Sequence, residues 1–323
     1  MAYTYKANFK TNDWKGRLKE LTEEFSFRSY NGSFKQRVSN ETKDKRKHVL
    51  FLTFRELHED GFQLYDPLNI KPKHIEHLVQ RWVEASLSAS TITNRISILN
   101  LFTIFIGKPG MVKAPEDYVD DKVIVRRSFV NKADKSWSAK DVDPEAIASK
   151  AAAIDIYTGL HIDLMITFGL RVKESLSMKP FKSDYGQHLL VMDGTKGGRT
   201  RIVPIDNEYK RALVDKCKKV CEKIEKNMCH PDRSLVQEKN RLYYVMRKCG
   251  ITNDHLGLTP HGLRHQYLND RYEDIAGHPS PVRGGTIVDK EKDTEARLVT
   301  MLEAGHGRTK VGASYYGSSK KTS

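Results

Sequence analysis

The sequence predicts a mainly α-helical protein with a small β-sheet, an α+β chain built from two domains. Apolar residues recur every three to four positions through most of residues 10–110 and again beyond residue 144, which is typical of amphipathic helices. The period changes to that of strands around residues 188–205. A length of 323 residues exceeds what one hydrophobic core usually organises. We therefore expect two helical domains, the second with a β-hairpin.

Helix signals follow one another along the first domain. An apolar face over residues 43–60 predicts a helix that ends at Gly61, since glycine is a common C-terminal stop. Pro72 suits the first position of the next helix. Ser88 or Ser90 then caps a third. The first domain is therefore predicted to be a compact group of helices.

A polar and charged segment separates the two halves of the chain. Residues 113–143 contain few periodic apolar residues, which predicts a linker between a helical domain over 1–112 and a second domain over 144–323. The second domain is expected to contain, in order, a helical stretch over 144–169, strands at 188–192 and 201–205, and helices over 206–228 and 234–249.

Positive charge is spread over both halves. Residues 1–150 hold 26 basic and 20 acidic side chains, and residues 151–323 hold 29 and 21. Two basic domains suit a clamp around a polyanion such as nucleic acid, although solubility alone also explains such an excess. The polar helix faces of the first domain offer these candidates for contacts with DNA: Lys43, Arg46, Lys47, Thr91, Asn94 and Arg95.

Cysteine usage and hydropathy indicate a reducing compartment. The N-terminus lacks the apolar run of a signal peptide, and no stretch approaches the roughly 20 apolar residues that span a bilayer. Cys217, Cys221, Cys229 and His230 have ligand chemistry, but the first two fall on the apolar stripe of a predicted helix. We therefore expect core thiols, no metal, no membrane and a cytoplasmic protein.

Two motifs of the second half combine a cation with an ordered backbone. Arg171 and Glu174 are three residues apart, so on a helix the carboxylate can hold the guanidinium; alone, such a pair is typical of a protein surface. Lys196 stands in the glycine-rich turn of the predicted hairpin, where a close backbone approach is allowed.

Two later motifs bring imidazoles and a phenol. Pro260 can begin a helix on which His261, Arg264 and His265 share one face. Further on, His306 lies between two glycines, and a tyrosine follows nine residues later in the pair Tyr315 and Tyr316. Each motif is weak alone, and their order along the chain carries the information.

That order resembles the tyrosine recombinases, the phage integrase family. The similarity is closest in GLRVKE, TKGGRTRIVP, TPHGLRH and GHGRTKVGASYYG, and TITNRISILNLF extends it into the first half. The resemblance implies a helical core-binding domain followed by a catalytic domain that cuts and rejoins DNA at specific sites without a cofactor. One departure is an insert near residues 275–294, because His306 follows Arg264 by 42 residues, more than in compact members.

The resemblance implies that three of these residues act on the phosphate. Arg171 and Arg264 would hold its non-bridging oxygens, which gain charge in the transition state. His306 would donate a third hydrogen bond there. Glu174 would orient Arg171, and His265 would contact DNA.

The resemblance also implies which residues transfer protons and which one attacks the phosphorus. Lys196 would protonate the departing 5′ oxygen, and His261 would act either as a base or as a further phosphate ligand. Tyr315 would be the nucleophile that forms a 3′-phosphotyrosyl bond. Tyr316 is the alternative, and the nine-residue spacing after His306 favours Tyr315.

The expected partners follow from the same resemblance. They are double-stranded DNA with specific recombination sites, further copies of the chain in a tetramer that passes through a Holliday junction, and accessory DNA-bending or directionality factors. The setting would be the nucleoid of a prokaryotic host, with integration and excision of a mobile genetic element as the outcome. A type IB topoisomerase-like relaxer and a catalytically silent DNA-binding accessory factor are the alternatives.

Overall fold

The computed structural model describes residues 9–25, 28–29, 36–221 and 225–318. It confirms a mainly helical chain with little β-structure, and it divides into two compact units, residues 1–128 and 129–323. Within the predicted linker, Tyr118 and Val125 are buried in the core of the first unit and Trp137 in that of the second. The exact domain limits therefore stay a prediction.

The first unit packs its α-helices around one apolar core. Ser39 accepts a hydrogen bond from the N–H of Thr42 and so begins the first long helix before the predicted residue 43. Pro72 opens its helix as expected, and Ser88 is the cap of the next. The elements are α1 (Trp14–Phe25), β1 (Arg28–Ser29), β2 (Gln36–Arg37), α2 (Asn40–Glu59), α3 (Pro72–Glu84) and α4 (Ala89–Phe105). The antiparallel pair β1 and β2 is the β-structure described there.

The second unit surrounds a hairpin with helices. The predicted strands pair antiparallel, with Leu189 opposite Val203 and both side chains in the core. The elements are α5 (Pro144–Ile154), α6 (Ile156–Phe168), α7 (Val172–Ser177), α8 (Pro180–Ser183), β3 (His188–Val191), β4 (Arg201–Pro204), α9 (Glu208–Cys221), α10 (Leu235–Lys248), α11 (Asn253–Leu256), α12 (Pro260–Ala276), α13 (Lys290–Glu303) and α14 (Ala313–Tyr316). Helices α6, α7, α12 and α14 and the hairpin carry the motif residues.

One helical prediction is confirmed in more detail, and one needs correction. The stretch over 144–169 is two helices, because Asp155 ends α5 and its carboxylate accepts the N–H of Thr158 in the first turn of α6. The helix predicted over 206–228 reaches only Cys221 in the described residues; residues 222–224 lie outside them. Residues 225–228 are not helical. Met228 is nevertheless buried in the core, and its N–H donates to the carbonyl of Met178 at 3.0 Å.

The cysteine prediction is confirmed where it concerns packing. Cys217 and Cys221 are both buried on the inner face of α9, and Cys229 and Cys249 are buried too. Burial raises the pKa of the Cys221 thiol to about 11, so it stays protonated and apolar near neutral pH. The described part of the chain contains no group of three His, Cys, Asp or Glu side chains arranged to hold a metal ion. None of its helices has both the length and the apolar character to cross a bilayer.

Candidate active site

The first motif forms the predicted ion pair at the start of α7. Arg171 caps this helix, and its backbone N–H donates to Glu174 Oε2 at 2.8 Å while its Nη1 donates to Oε1 at 2.6 Å. Unlike a typical surface pair, this one has a fully buried carboxylate, that of Glu174. Its carboxylate also accepts two hydrogen bonds from Arg201, at 2.9 and 2.7 Å. One buried carboxylate thus orients two guanidiniums.

Sequence reasoning missed Arg201, although a signal for it was present. In β4, Arg201 and Val203 point inward, whereas Ile202 between them is exposed. An arginine on the inward register of a strand requires a buried acceptor, since an unpaired internal charge is costly. The pair with Glu174 meets that need and ties the hairpin to the start of α7.

The charge balance of this cluster keeps Glu174 ionised. Burial raises the pKa of its carboxyl, but hydrogen bonds and charge from Arg201, together with the charge of Arg171, outweigh burial and hold the pKa at about 2. A folded-state pKa below the ordinary value of 4.5 stabilises the fold above pH 4.5. That contribution is lost as the pH falls from 4.5 towards 2.

Replacing Glu174 with glutamine should therefore destabilise the second unit. Glu174→Gln leaves the buried Arg201 without its counter-charge, for which we expect a loss of about 3 kcal/mol in the free energy of unfolding at pH 7. Urea denaturation at pH 7 and at pH 3 measures this free energy. The difference in the free energy of unfolding between wild type and variant should be smaller at pH 3. Glu225→Gln is the control, because its ion pair with Lys182 is exposed and contributes little. Equal stability of E174Q and wild type at pH 7 would contradict the buried cluster.

Arg264 lies in the first turns of α12 and is almost wholly buried, at 1% exposure. Its Nη1 donates to the carbonyl of Gly169 at 2.5 Å, and its Nη2 donates to the carbonyl of Ala304. Gly169 ends α6 at a φ of +59°, which places that carbonyl in reach. The Nη2 of Arg171 also donates to Ala304 O, at 3.4 Å. Two guanidiniums therefore converge on one backbone oxygen.

The phenol of Tyr315 lies against the same guanidinium of Arg264. Its hydroxyl is 3.4 Å from Arg264 Nε and 3.3 Å from His306 Nε2. The ring of His265 packs against it at a centroid distance of 4.7 Å, and that of His261 lies at 6.1 Å. The fold thus brings residues from α12, α14 and the loop after α13 to one hydroxyl, across more than 50 residues of sequence.

Tyr316 faces away from this cluster. It is fully buried, stacks on Tyr272 at a centroid distance of 5.0 Å and an angle of 27°, and lies under the guanidinium of Arg297. Burial raises its pKa well above the ordinary value. These contacts make Tyr316 a packing residue of α14, whereas the hydroxyl of Tyr315 faces Arg264 and His306.

The histidines around Tyr315 are neutral at pH 7. Burial is the main cause that lowers the pKa of His306 to about 4, and the positive charges of Arg264, Arg171, Arg201 and Lys196 add to it. The same combination of burial and neighbouring cations lowers the pKa of His261 to about 4 and that of His265 to about 3. A neutral imidazole has one N–H to donate and one lone pair that can take a proton.

Two sequence models of known protein families match the chain. The sequence model described as phage integrase, N-terminal, matches residues 21–112, and the model of the phage integrase family matches residues 139–275. Together the two matches span more than two thirds of the chain. The chain belongs to the phage integrase family. It is accordingly a tyrosine recombinase, a DNA strand-transferring enzyme.

Solved structures share the fold of this integrase. A lambda integrase dimer bound to a COC′ core site is 14% identical, with a TM-score of 0.59, over 96% of this chain and 78% of that one. A lambda integrase tetramer bound to a Holliday junction is 15% identical, with a TM-score of 0.59, over 96% of this chain and 79% of that one. The Tn1549 transposon integrase in complex with transposon right end DNA is 15% identical, with a TM-score of 0.55, over 94% of this chain and 96% of that one. No curated protein sequence matches the chain significantly.

The family match covers only part of the integrase site. Arg171, Lys196 and Arg264 lie within residues 139–275, whereas His306 and Tyr315 lie beyond them. For these two residues the geometry is the independent evidence. Lys196 lies exposed in the turn between β3 and β4, as predicted for the hairpin, and is one of the charges that depress the pKa of His306.

Two of the side chains expected to contact DNA are buried in this structure. His265 is 4% exposed and packs against Tyr315, so its side chain belongs to the interior of the site. Arg46 does not lie on the exposed face of α2, because its side chain turns inward over the ring of Phe25 at 5.2 Å.

The other candidates of the first unit are partly exposed. Lys47 pairs with Glu23, and Arg95 pairs with Glu56 at 3.0 Å. Lys43, Thr91 and Asn94 are half-buried on the same helices. Their role as DNA contacts stays a prediction.

Proposed function

We propose that this tyrosine recombinase integrates and excises a mobile genetic element, cutting DNA with Tyr315. The proposal is carried by the approach of Arg264 and His306 to the Tyr315 hydroxyl, together with Arg171, which shares the carbonyl of Ala304 with Arg264. A phenol within hydrogen-bond distance of a guanidinium and a neutral imidazole is placed where a phosphate could be bound and attacked at once.

The proposed reaction is a reversible exchange of phosphate esters. The Tyr315 oxygen bonds to the scissile phosphorus, the bond from phosphorus to the 5′ oxygen breaks, and a 3′-phosphotyrosyl link forms. The phenol proton passes to a neutral imidazole, for which His261 or His306 is the candidate. Lys196 gives a proton to the departing 5′ oxygen. Because one ester replaces another, a second strand can reverse the reaction without an external energy source.

Arg171 and Arg264 would stabilise the transition state. Two guanidiniums that the protein already holds side by side, at the carbonyl of Ala304, need little reorganisation to meet the charge that develops on the equatorial phosphate oxygens. Arg171 is held by Glu174, and Arg264 is held by two backbone carbonyls. His306 would supply a further hydrogen bond to the same oxygens.

We further propose double-stranded DNA with specific sites as substrate and a tetramer as the active assembly. The lambda integrase structures described above contain a dimer on a core site and a tetramer on a Holliday junction, and this chain shares their fold. Accessory DNA-bending or directionality factors would decide between integration and excision, and the nucleoid of a prokaryotic host would be the setting. The basic excess in both halves of the chain suits a DNA partner.

A covalent adduct on nicked DNA tests this function. Duplexes that bind the full chain are selected from a random-sequence pool and then resynthesised with a single nick at successive positions. A nick beside the cleavage point releases a short fragment and traps the 3′-phosphotyrosyl link, so we expect a denaturant-resistant adduct at one nick position. No adduct at any position on a duplex that binds would refute catalysis. Relaxation of plasmids that lack the selected sequence would instead favour a topoisomerase-like relaxer.

A further inference from the structure

The connection between α12 and α13 (residues 277–289), which lies within the predicted insert, folds back on the interior of the second unit. Ser280 is fully buried, and its hydroxyl donates to Asn269 Oδ1 on α12. Asn269 is fully buried too; its Nδ2 donates to the carbonyl of His265 at 2.9 Å and to the backbone carbonyl of Tyr315 at 3.5 Å. A chain of hydrogen bonds therefore joins the α12–α13 connection to the backbone of the proposed nucleophile.

A second contact lies just beyond the tyrosine pair. A Cβ atom at Gly317 would lie 3.1 Å from Val282 Cγ1, and the φ of +81° at this position favours glycine. The carbonyl of Gly317 accepts a hydrogen bond from Arg297 at 3.3 Å. At the other end of α14, the N–H of Asn131 donates to the carbonyl of Ala313 at 2.9 Å. Contacts from outside the helix thus hold both of its ends.

The α12–α13 connection is itself anchored by one arginine. Arg283 pairs with Asp270 at 2.6 Å and Glu273 at 3.6 Å on α12, and with Asp134 at 3.1 Å. Its side chain is only 15% exposed. These pairs tie the connection both to the outer face of α12 and to the segment that follows Asn131.

The need for such anchoring comes from the length of α14. A helix of four residues, Ala313–Tyr316, forms a single turn, and a single turn has little stability without tertiary contacts. The position of the Tyr315 hydroxyl therefore depends on whatever holds this turn. A hydroxyl displaced by about 1 Å from its productive position costs on the order of a hundredfold in rate.

We propose that the α12–α13 connection is a positioning element for Tyr315, acting through Ser280 and Asn269 and braced by Arg283. The inference rests on the proposed function, in which Tyr315 is the nucleophile. Ser280, Asn269 and Arg283 would not touch DNA phosphate themselves; they would set the distance from the Tyr315 hydroxyl to Arg264 and His306.

The test separates the cleavage step from DNA binding and from stability. Ser280→Ala removes one buried hydroxyl that reaches the tyrosine turn. Thr158→Val is its matched control, because it removes one buried hydroxyl whose partner is Asp155 at 3.2 Å. With the selected nicked duplex at saturating protein, we expect S280A to slow single-turnover adduct formation about tenfold or more, with the Kd for DNA unchanged within about twofold. T158V should change neither quantity.

A second pair of variants covers the case in which S280A does not fold. Arg283→Gln removes the brace at a partly exposed site, and Arg233→Gln is its control, since Arg233 makes comparable pairs with Asp155 at 2.8 Å and Glu238 at 3.3 Å. We expect R283Q to slow adduct formation and R233Q to leave it unchanged at temperatures well below the Tm of both.

Three results would overturn the positioning role. They are wild-type rates in S280A and R283Q, equal slowing in the control variants, or a loss of DNA affinity that accounts for the slowing. Absence of any adduct with the wild-type chain would instead refute the proposed function, so the two failures are distinguishable.

Discussion

Tyr315→Phe forms no covalent adduct with the nicked duplex, whereas Tyr316→Phe forms it at the wild-type rate. This result is expected because only Tyr315 brings its hydroxyl to the guanidinium of Arg264 and the imidazole of His306, at 3.4 and 3.3 Å. Phenylalanine keeps the ring that packs against His265 and removes the one atom that would bond to phosphorus. The loss should be complete within detection, a rate reduction beyond about 10⁴-fold.

The comparison with Tyr316 makes this prediction specific. Both tyrosines lie on the same helical turn and are nearly inaccessible, so a general disturbance of α14 would affect both variants. Phenylalanine at position 316 keeps the stack on Tyr272 and the contact with Arg297. Gel mobility under denaturing conditions detects the adduct, and mass spectrometry of the digested adduct identifies the modified residue. An adduct in Y315F, or one linked to Tyr316 in the wild type, would assign the nucleophile differently.

A measurement of DNA binding distinguishes a loss of catalysis from a loss of DNA affinity. Many basic side chains share the binding of DNA phosphates, so loss of one phenol oxygen should leave the Kd of Y315F for the selected duplex within about twofold of the wild type. A large loss of affinity in this variant would mean that Tyr315 contributes to DNA binding, and the missing adduct would then say little about catalysis.

Sequence patterns predicted the elements of the second unit well wherever local signals decide them. The strands at 188–192 and 201–205, the start of α12 at Pro260 and the buried face of α9 each follow from a periodicity or a cap that the neighbouring residues determine. The end of α9 was predicted too late. Met228 continues the apolar period of that helix, but it reaches the core by another route, after the chain has turned.

Local patterns singled out most of the residues that the structure brings together, with Arg201 the exception, but not their arrangement. Spacing indicates that Arg171 and Glu174 share a helix face. It cannot show that Arg201, on the hairpin, donates two hydrogen bonds to the buried carboxylate of Glu174. Nor does any local pattern mark the carbonyl of Ala304, on which two guanidiniums converge. Both depend on contacts between segments distant in sequence, which only the tertiary structure provides. For the same reason His265 was expected at the DNA surface, although its helix face is covered by Tyr315.

The geometry of Arg264 leads to the second large effect. Its guanidinium directs separate N–H groups at the carbonyl of Gly169, the carbonyl of Ala304 and the hydroxyl of Tyr315. A lysine ammonium carries the same charge but is a point on a flexible stem, and it cannot reproduce a planar fork of donors. Arg264→Lys would therefore keep the positive charge but lose the fork of donors that aligns the phosphate with the phenol.

We therefore expect Arg264→Lys to slow adduct formation by about 10²–10³-fold, the loss typical of removing an aligned donor from a developing oxyanion. The Kd for the selected duplex should change little, because many exposed cations share that task. Arg211→Lys is the control. Arg211 also donates to a backbone carbonyl, that of Gly186, and to Asp184, but it is partly exposed and its helix, α9, carries none of the candidate site residues. Single-turnover cleavage and equilibrium binding on the same duplex measure both quantities. If R264K cleaved as fast as R211K, conserved charge would be sufficient, and the fork geometry of Arg264 would not be what stabilises the transition state.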